Sequence, residues 1–84
     1  MTKDELRAAI IEEIGNIAPE ADPVAIDDGE DLREALDLDS MDIFNIVVAL
    51  SQRLGLDIPD ADAGKLVTLG GGVDFLASRL AGKH

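Results

Sequence analysis

The sequence contains no cysteine and only one histidine, His84, which is the last of its 84 residues. Without cysteine the chain can form neither a disulfide nor a thiolate metal site, and this absence is typical of proteins from the reducing cytoplasm. Without a histidine inside the chain, no serine has an evident general base to make it a nucleophile. We therefore predict a cytoplasmic protein that is not an enzyme.

The acids Asp37, Asp39 and Asp42 raise the question of a calcium loop. The EF-hand spacing would require a glycine at position 42 and a bidentate glutamate at position 48, where the chain has Asp42 and Val48. The pattern fails, and we predict no metal site.

Tryptophan and tyrosine are also absent and phenylalanine occurs only twice, although 46% of the residues are hydrophobic. The core must therefore consist of Leu, Ile, Val and Ala side chains. Runs of β-branched and aromatic residues with alternating polarity are missing, which argues against a sheet. We predict an all-α fold. Because 84 residues leave room for one core only, we expect a single domain over residues 1–84, present as a monomer.

Bases are scarce, with seven Lys and Arg against 18 Asp and Glu, and the formal net charge is −11 at pH 7. Such a surface repels nucleic acid and anionic membranes, and attracts proteins that carry basic patches. No apolar run approaches the ~18 residues of a membrane span, and the N-terminus is too charged for a secretory signal. We therefore expect protein partners, and neither nucleic acid nor membrane.

The acids are densest between Asp22 and Asp42, where nine of them face a single base, Arg33. They form either a solvated acidic face or a surface that steers a basic partner, and the sequence leaves both interpretations open.

The N-terminal segment predicts an amphipathic helix. Thr2 and Glu5 form a capping-box pattern, and Pro19 disfavours helical geometry at the preceding residue, so the helix should end near Ile17. The apolar stripe has helical spacing and consists of Leu6, Ile10, Ile14 and Ile17.

Residues 18–38 predict a long connection, because Pro23, Gly29 and the surrounding acids prevent a continuous helix. Its apolar side chains should anchor it to the bundle, with a helical turn near Leu32–Ala35; they are Val24, Ile26, Leu32, Leu36 and Leu38.

The most apolar helix is predicted from about Ser40 to Leu54, with Gly55 as the residue that ends it. Either Asp39 or Ser40 caps it. The N-terminus of a helix has free N–H groups and a positive dipole end, so it favours an anion such as a phosphate.

This helix is apolar on two faces. One face should enter the core, with Ile46 at its edge, and consists of Ile43, Val47, Leu50 and Leu54. The other face, formed by Met41, Phe44 and Val48, lies near the azimuth of Ser40. It is either buried as well or presented to a partner, and the sequence does not decide whether Phe44 folds inward.

The remaining chain predicts a short helix over Asp60–Lys65, inward packing of Leu66 and Val67, and a last helix that opens at Thr68. The last helix carries core residues at Val73, Leu76, Ala77 and Leu80. The run Gly70-Gly71-Gly72 should fray or displace its first turn, because each glycine costs ~0.8–1 kcal/mol in a helix. The pattern as a whole predicts a four-helix bundle with three longer helices, one short helix, and a long loop between the first two.

The segment Leu38-Asp39-Ser40-Met41-Asp42 resembles the attachment motif of the acyl carrier protein family, which reads Asp-Ser-Leu or Asp-Ser-Met at the start of the second helix. These are small acidic four-helix domains that carry a 4′-phosphopantetheine arm. The resemblance extends over nearly the whole chain. It continues through the segments Ile46–Leu50, Leu54–Asp60 and Thr68–Gly70.

The resemblance implies that Ser40 holds a 4′-phosphopantetheine group through a phosphodiester. A phosphopantetheinyl transferase would transfer it from coenzyme A. The arm would then carry an acyl group as a thioester for enzymes of fatty acid, lipid or secondary-metabolite synthesis. It also implies a docking surface for loading ligases and synthases with basic and apolar patches, composed of Asp39, Met41, Asp42, Phe44, Asn45 and Val48.

The chain departs from that family where carriers of fatty acid synthesis line the outer face of this helix with glutamates. The matching residues are Asn45, Ser51 and Gln52, followed by Arg53. This departure favours a specialised carrier with a dedicated ligase or synthase. Two alternatives stay open: a carrier of an aminoacyl group or other small acid, and an acidic interaction module that is never modified.

Overall fold

The computed structural model describes residues 2–20 and 26–81, and for Asp60 only the backbone. Five helices follow one another in these ranges. They are α1 (Lys3–Ile17), the single-turn α2 (Leu32–Ala35), α3 (Ser40–Leu54), a 3₁₀ helix (Asp60–Leu66) and α4 (Leu69–Ala81). The described ranges contain no strand, so the all-α prediction is confirmed. The predicted turn near Leu32–Ala35 is α2, and the predicted short helix is the 3₁₀ helix. Val24 and His84 lie outside the described residues.

The first helix begins and ends where its sequence predicts. Thr2 Oγ1 accepts a hydrogen bond from the backbone N–H of Glu5 at 3.1 Å, and Glu5 Oε1 accepts one from the N–H of Thr2 at 2.9 Å. This capping box satisfies N–H groups that the helix itself leaves free. The bonds from Thr2 lower the pKa of Glu5. The helix packs against both α3 and α4.

The core is aliphatic throughout, as the composition predicts. Its most completely buried side chains come from every helix, namely Leu6, Ile10, Ile14, Leu32, Ile46, Leu50, Leu66, Leu69 and Leu76. Several residues predicted for the core are only half-buried at its edge, namely Ile17, Leu54, Val67, Ala77 and Leu80. Among the described helices, none is both long enough and apolar enough to span a bilayer.

The connection before α3 is fastened to the start of α4 by backbone hydrogen bonds. The N–H of Leu32 donates to the carbonyl of Val67 at 2.7 Å, and the N–H of Gly70 donates to the carbonyl of Asp28 at 2.9 Å. Arg7 on α1 pairs with the Asp28 carboxylate. These contacts explain how a small domain tolerates a long connection, because its backbone polar groups find partners in the bundle.

The prediction that the glycine run frays the last helix is wrong. α4 begins at Leu69 and includes all three glycines. A Cβ on Gly72 would lie 2.9 Å from Leu66 Cδ2 and 3.3 Å from Ile10 Cδ1, and a Cβ on Gly70 would lie 3.2 Å from the carbonyl oxygen of Asp28. The missing side chains therefore let α4 approach its neighbours closely, and the packing offsets the low helix propensity of glycine.

Candidate functional site

Ser40 is the first residue of α3, and its neighbours settle how that helix is capped. Asp39 is the N-cap: its Oδ1 accepts from the N–H of Asp42 at 2.9 Å, while Asp42 Oδ2 accepts from the N–H of Asp39 at 3.2 Å. The cap is therefore Asp39 and not Ser40. At the other end, Gly55 adopts the left-handed conformation with φ of 65°, as its predicted place at the helix end requires.

The segment before α3 turns Ser40 outward. Asp37 has a positive φ of 55°, which aspartate tolerates better than most residues. The next residue, Leu38, is buried, and its N–H donates to the carbonyl of Arg33 at 3.0 Å. With Leu38 anchored in the core, the chain emerges at Asp39 and Ser40, which are both exposed.

The hydroxyl of Ser40 is available for chemistry. Among the described residues no group forms a hydrogen bond with it, and the N–H groups of Ser40 and Met41 are likewise without a partner there. Free N–H groups and the positive end of the helix dipole favour a negatively charged group at this point. The local structure therefore suits a phosphodiester on the Ser40 oxygen.

A pocket of about 200 Å³ opens beside Ser40. Its walls come from α3, the 3₁₀ helix and the loop after it, and they are mainly apolar. Besides Ser40 and Arg33, the lining consists of Ile43, Phe44, Ala63, Gly64 and Val67. The volume and the lining suit a small apolar group.

Of the described side chains, Arg33 is the one charged group in the pocket lining. Its guanidinium donates through Nε to Asp31 Oδ1 at 3.1 Å and through Nη2 to Asp31 Oδ2 at 2.8 Å. Asp31 is itself held in place, because Oδ1 also accepts from the backbone N–H of Arg33 at 2.9 Å and so caps α2. These hydrogen bonds, the side-chain bonds most strongly, lower the pKa of Asp31 and raise the pKa of Arg33.

The second apolar face of α3 is exposed. Met41 is 65% exposed, Phe44 42% and Val48 39%. This answers the question left open for Phe44, which does not fold into the core but lines the pocket beside Ser40. Asn45 is exposed on the same helix. A patch of adjacent exposed apolar side chains on the surface of a small protein is typical of a contact site for another protein.

The assignment of Ser51 to an outer face of α3 is wrong. Ser51 is half-buried, and its hydroxyl donates to the carbonyl of Leu56, so it holds the chain that leaves the helix. Arg53 likewise turns to α1, where it pairs with Glu12 at 2.8 Å and Glu13 at 3.6 Å. Gln52 is exposed. Of the three neutral residues singled out in the sequence, Asn45 and Gln52 are exposed to solvent and Ser51 is not.

The sequence pattern indicated no site role for four residues near the pocket, namely Arg33, Asp31, Ala63 and Gly64. The pocket forms only when α3 and the 3₁₀ helix come together, and local periodicity does not show this. One signal was present: Arg33 is the only base in a strongly acidic stretch. A single base in such a stretch is a candidate for a specific contact with an acid or an anionic ligand.

A small acidic helical bundle that presents a serine at a helix N-terminus, beside an apolar pocket, has the architecture of a carrier domain. The comparisons with known proteins agree. The family model for the phosphopantetheine attachment site matches residues 4–76 of the chain. The chain belongs to this family, that of the acyl carrier proteins.

Individual relatives cover most of the chain. The acyl carrier protein of Campylobacter hominis is 36% identical over 66 residues, which are 79% of this chain and 77% of that protein. The acyl carrier protein of Renibacterium salmoninarum is 36% identical over 74 residues, or 88% of this chain and 86% of that protein. The acyl carrier protein of Acidothermus cellulolyticus is 30% identical over 80 residues, covering 93% and 92% respectively.

Family membership confirms three predictions from the sequence. The protein is a carrier and not a catalyst. Its prosthetic group is a covalently attached 4′-phosphopantetheine, whose terminal thiol supplies the thioester bond to the cargo. Its partners are phosphopantetheinyl transferases and acyl-handling enzymes in general.

Proposed function

We propose that Ser40 is the attachment residue for 4′-phosphopantetheine and that the loaded protein delivers an acyl group to partner enzymes. One observation carries the proposal. The hydroxyl of Ser40 is exposed and unbonded among the described residues, at the N-terminus of α3 within Asp39-Ser40-Met41. The hydroxyl of Ser51, in contrast, donates a hydrogen bond to the carbonyl of Leu56.

The attachment is a substitution at phosphorus. The Ser40 oxygen bonds to the pantetheine-linked phosphorus of coenzyme A, while the bond from that phosphorus to the bridging phosphate oxygen breaks. Adenosine 3′,5′-bisphosphate leaves with the electron pair, and a base of the transferase takes the hydroxyl proton. This chain supplies the position of the reacting oxygen, which is exposed at the positive end of the α3 dipole. The N–H groups of Ser40 and Met41 beside it have no partner in the described part of the chain.

Intact mass spectrometry tests the attachment site. After incubation with coenzyme A and a broad-range transferase, we expect the protein to gain one phosphopantetheine unit and Ser40→Ala to gain none. Ser78→Ala is the matched control, since Ser78 is also exposed on a helix and should leave the gain intact. No gain under conditions that modify a known carrier would refute the proposal, and would favour the interaction module that is never modified.

The cargo we propose is a short acyl group. The apolar pocket beside Ser40 supports this, because an arm that folds back from Ser40 can place a small apolar chain in it. An aminoacyl group or other small acid remains the alternative, loaded by a dedicated ligase through the same arm. Mass spectrometry of the protein isolated with its native load distinguishes them, since a nitrogen-containing cargo would contradict the acyl proposal.

We also propose that Met41, Phe44 and Val48 form the apolar centre of the docking face, with Asp39 and Asp42 at its acidic edge. Their exposure around Ser40 supports this. Asn45 contributes a neutral contact on the same helix. The partners would be the transferase and a dedicated loading ligase or synthase in the cytoplasm, each with a basic and apolar patch.

Transferase kinetics test the docking face. Truncating a central apolar contact should cost about 1 kcal/mol, so Met41→Ala should lower kcat/KM about fivefold. Because Met41 is mostly exposed, the fold should be unaffected. Ser78→Ala is the control, because Ser78 is exposed on α4 and not on the proposed face of α3. Equal kcat/KM for Met41→Ala and the wild type would remove Met41 from the face.

A further inference from the structure

The pocket beside Ser40 differs in charge from the rest of the molecule. The chain carries a net charge of −11, yet among the described side chains no acid lines this pocket, and the one charged residue in its lining is Arg33. The other walls are Ile43, Phe44, Ala63, Gly64 and Val67. Apolar walls with one cation suit a ligand that has a short apolar body and one negative charge.

Arg33 is prepared to bind such a charge. A guanidinium has five N–H donors in a fixed planar fork. Asp31 accepts from Nε and from Nη2, and within the described residues no other group accepts from the guanidinium. Asp31 therefore holds the orientation of Arg33 while several donors stay free. A planar fork with free donors matches a carboxylate or phosphate better than a point charge does.

Of the charged residues around Ser40, Arg33 is the one that can act as counter-charge for an anion in the pocket. The flanking acids Asp37, Asp39 and Asp42 repel a negative group at this position. Three other bases pair with acids and are not in the lining: Arg7 with Asp28, Arg53 with Glu12 and Glu13, and Lys65, which follows the lining residue Gly64, with Asp62 at 3.3 Å. Arg33 lines the same pocket as Ser40 and is 47% exposed in its side chain, so it is accessible.

We propose that Arg33 is a specificity-determining residue that binds an anionic group delivered to the pocket from Ser40. The inference rests on the attachment proposed above. The anion is a small oxyanion next to apolar atoms, and it has two possible sources: a carboxylate at the far end of a short acyl cargo, or the phosphodiester of the arm. The pocket thereby prefers a carboxyacyl cargo over an uncharged acyl cargo of equal length.

Matched cargoes test the proposal. The ¹⁵N-labelled full chain is prepared in four forms: unmodified, with the unloaded arm, with a butyryl thioester, and with a succinyl thioester. The succinyl group has the same number of carbons as the butyryl group but ends in a carboxylate in place of the methyl group. The readout is the resonance of the Arg33 Nε–H group. We expect the succinyl form to shift this resonance and the butyryl form to leave it at its position in the unloaded form.

Variants separate charge from shape. Arg33→Gln should abolish the difference between succinyl and butyryl forms in the amide resonances of Ile43 and Val67, and Arg33→Lys should retain part of it. Arg79→Gln is the control, because Arg79 is an exposed arginine whose contact is the carbonyl of Asp57. It should leave the difference unchanged. An unaltered amide spectrum elsewhere shows that Arg33→Gln still folds.

The outcomes are distinct. A shift of the Arg33 resonance already on attachment of the unloaded arm, with no further change on succinylation, assigns the anion to the phosphodiester and overturns the cargo preference. An identical resonance in the unmodified, unloaded, butyryl and succinyl forms overturns the proposal entirely. Absence of phosphopantetheine in the intact mass of the wild type is a failure of the attachment at Ser40 and is seen before any cargo is loaded.

Discussion

The first N–H groups of α3 face solvent, whereas those of α4 are covered by other parts of the chain. We call the first helix end open and the second closed. At α3 the N–H groups of Ser40 and Met41 have no partner among the described residues, and both side chains are exposed. At α4 the N–H of Gly70 donates to the carbonyl of Asp28 at 2.9 Å, and that of Gly71 donates to Thr68 Oγ1 at 3.1 Å. The same helix dipole is thus accessible at one site and covered by the chain at the other.

The comparison teaches that a helix N-terminus becomes a candidate anion site through its surroundings. Every helix has free N–H groups and a positive end. The glycines of α4 let the residue 26–31 segment and the 3₁₀ helix approach and occupy that end, whereas Leu38 anchors the chain before α3 and leaves its end in solvent. Substitutions at the two helix starts test this contrast.

Adding a side chain at the closed end should destabilise the protein most. In Gly72→Val the new atoms would meet Leu66 and Ile10 in the core, and overpacking of this kind costs about 1–3 kcal/mol. Gly15→Val is the matched control, since a Cβ on Gly15 meets nothing within 4 Å. It should change stability by less than about 0.5 kcal/mol. Urea unfolding of both variants measures this, and equal effects would show that α4 is not tightly packed there.

Removing the cap at the open end should cost less. Asp39→Ala leaves the N–H of Asp42 without its acceptor, and the loss of an N-cap is worth about 1 kcal/mol. Asp39→Asn keeps an acceptor oxygen, so it should lower the free energy of unfolding by only a few tenths of about 1 kcal/mol. Thermal unfolding of the two variants tests the assignment of Asp39 as the cap. A stability loss in Asp39→Asn as large as that in Asp39→Ala would contradict it.

The smallest effect concerns Asp31. Its backbone forms an isolated β-bridge with Thr68 next to the start of α4, and its carboxylate pairs with Arg33 beside the start of α3. Its folded pKa is lowered, mainly by the Arg33 side chain. Its charged form therefore stabilises the fold above its ordinary pKa of 3.8, and that contribution is lost as the pH falls through the lowered folded value.

Melting curves of the wild type and Asp31→Asn, measured from neutral pH to well below 3.8, test this sign. The wild type should be slightly more stable at neutral pH, and the difference should shrink as Asp31 takes up a proton. A difference that is constant across this range would mean that the charge of Asp31 does not contribute.

Much of the candidate site could be predicted because its signals are local. Asp39-Ser40-Met41 precedes a strongly periodic apolar helix, so the position of Ser40 at a helix start follows from a few neighbouring residues. That Met41, Phe44 and Val48 share one face follows from the 100° rotation per residue, whereas the exposure of that face is known only from the structure. The pocket and its cation could not be predicted in this way, because they depend on where the 3₁₀ helix packs.

The helices and the position of the serine at the start of α3 follow from local features of the sequence. Capping residues, the apolar period and Pro19 act within a few residues of the sites they affect, so their effects can be read from the chain alone. Only the tertiary structure decided that the three glycines of α4 are packing contacts and not a frayed turn. It also decided that Ser51 turns to Leu56 and that Arg33 lines the pocket beside Ser40. The physical reason is that these contacts join segments that are distant in the chain, and such contacts depend on how whole elements fit together.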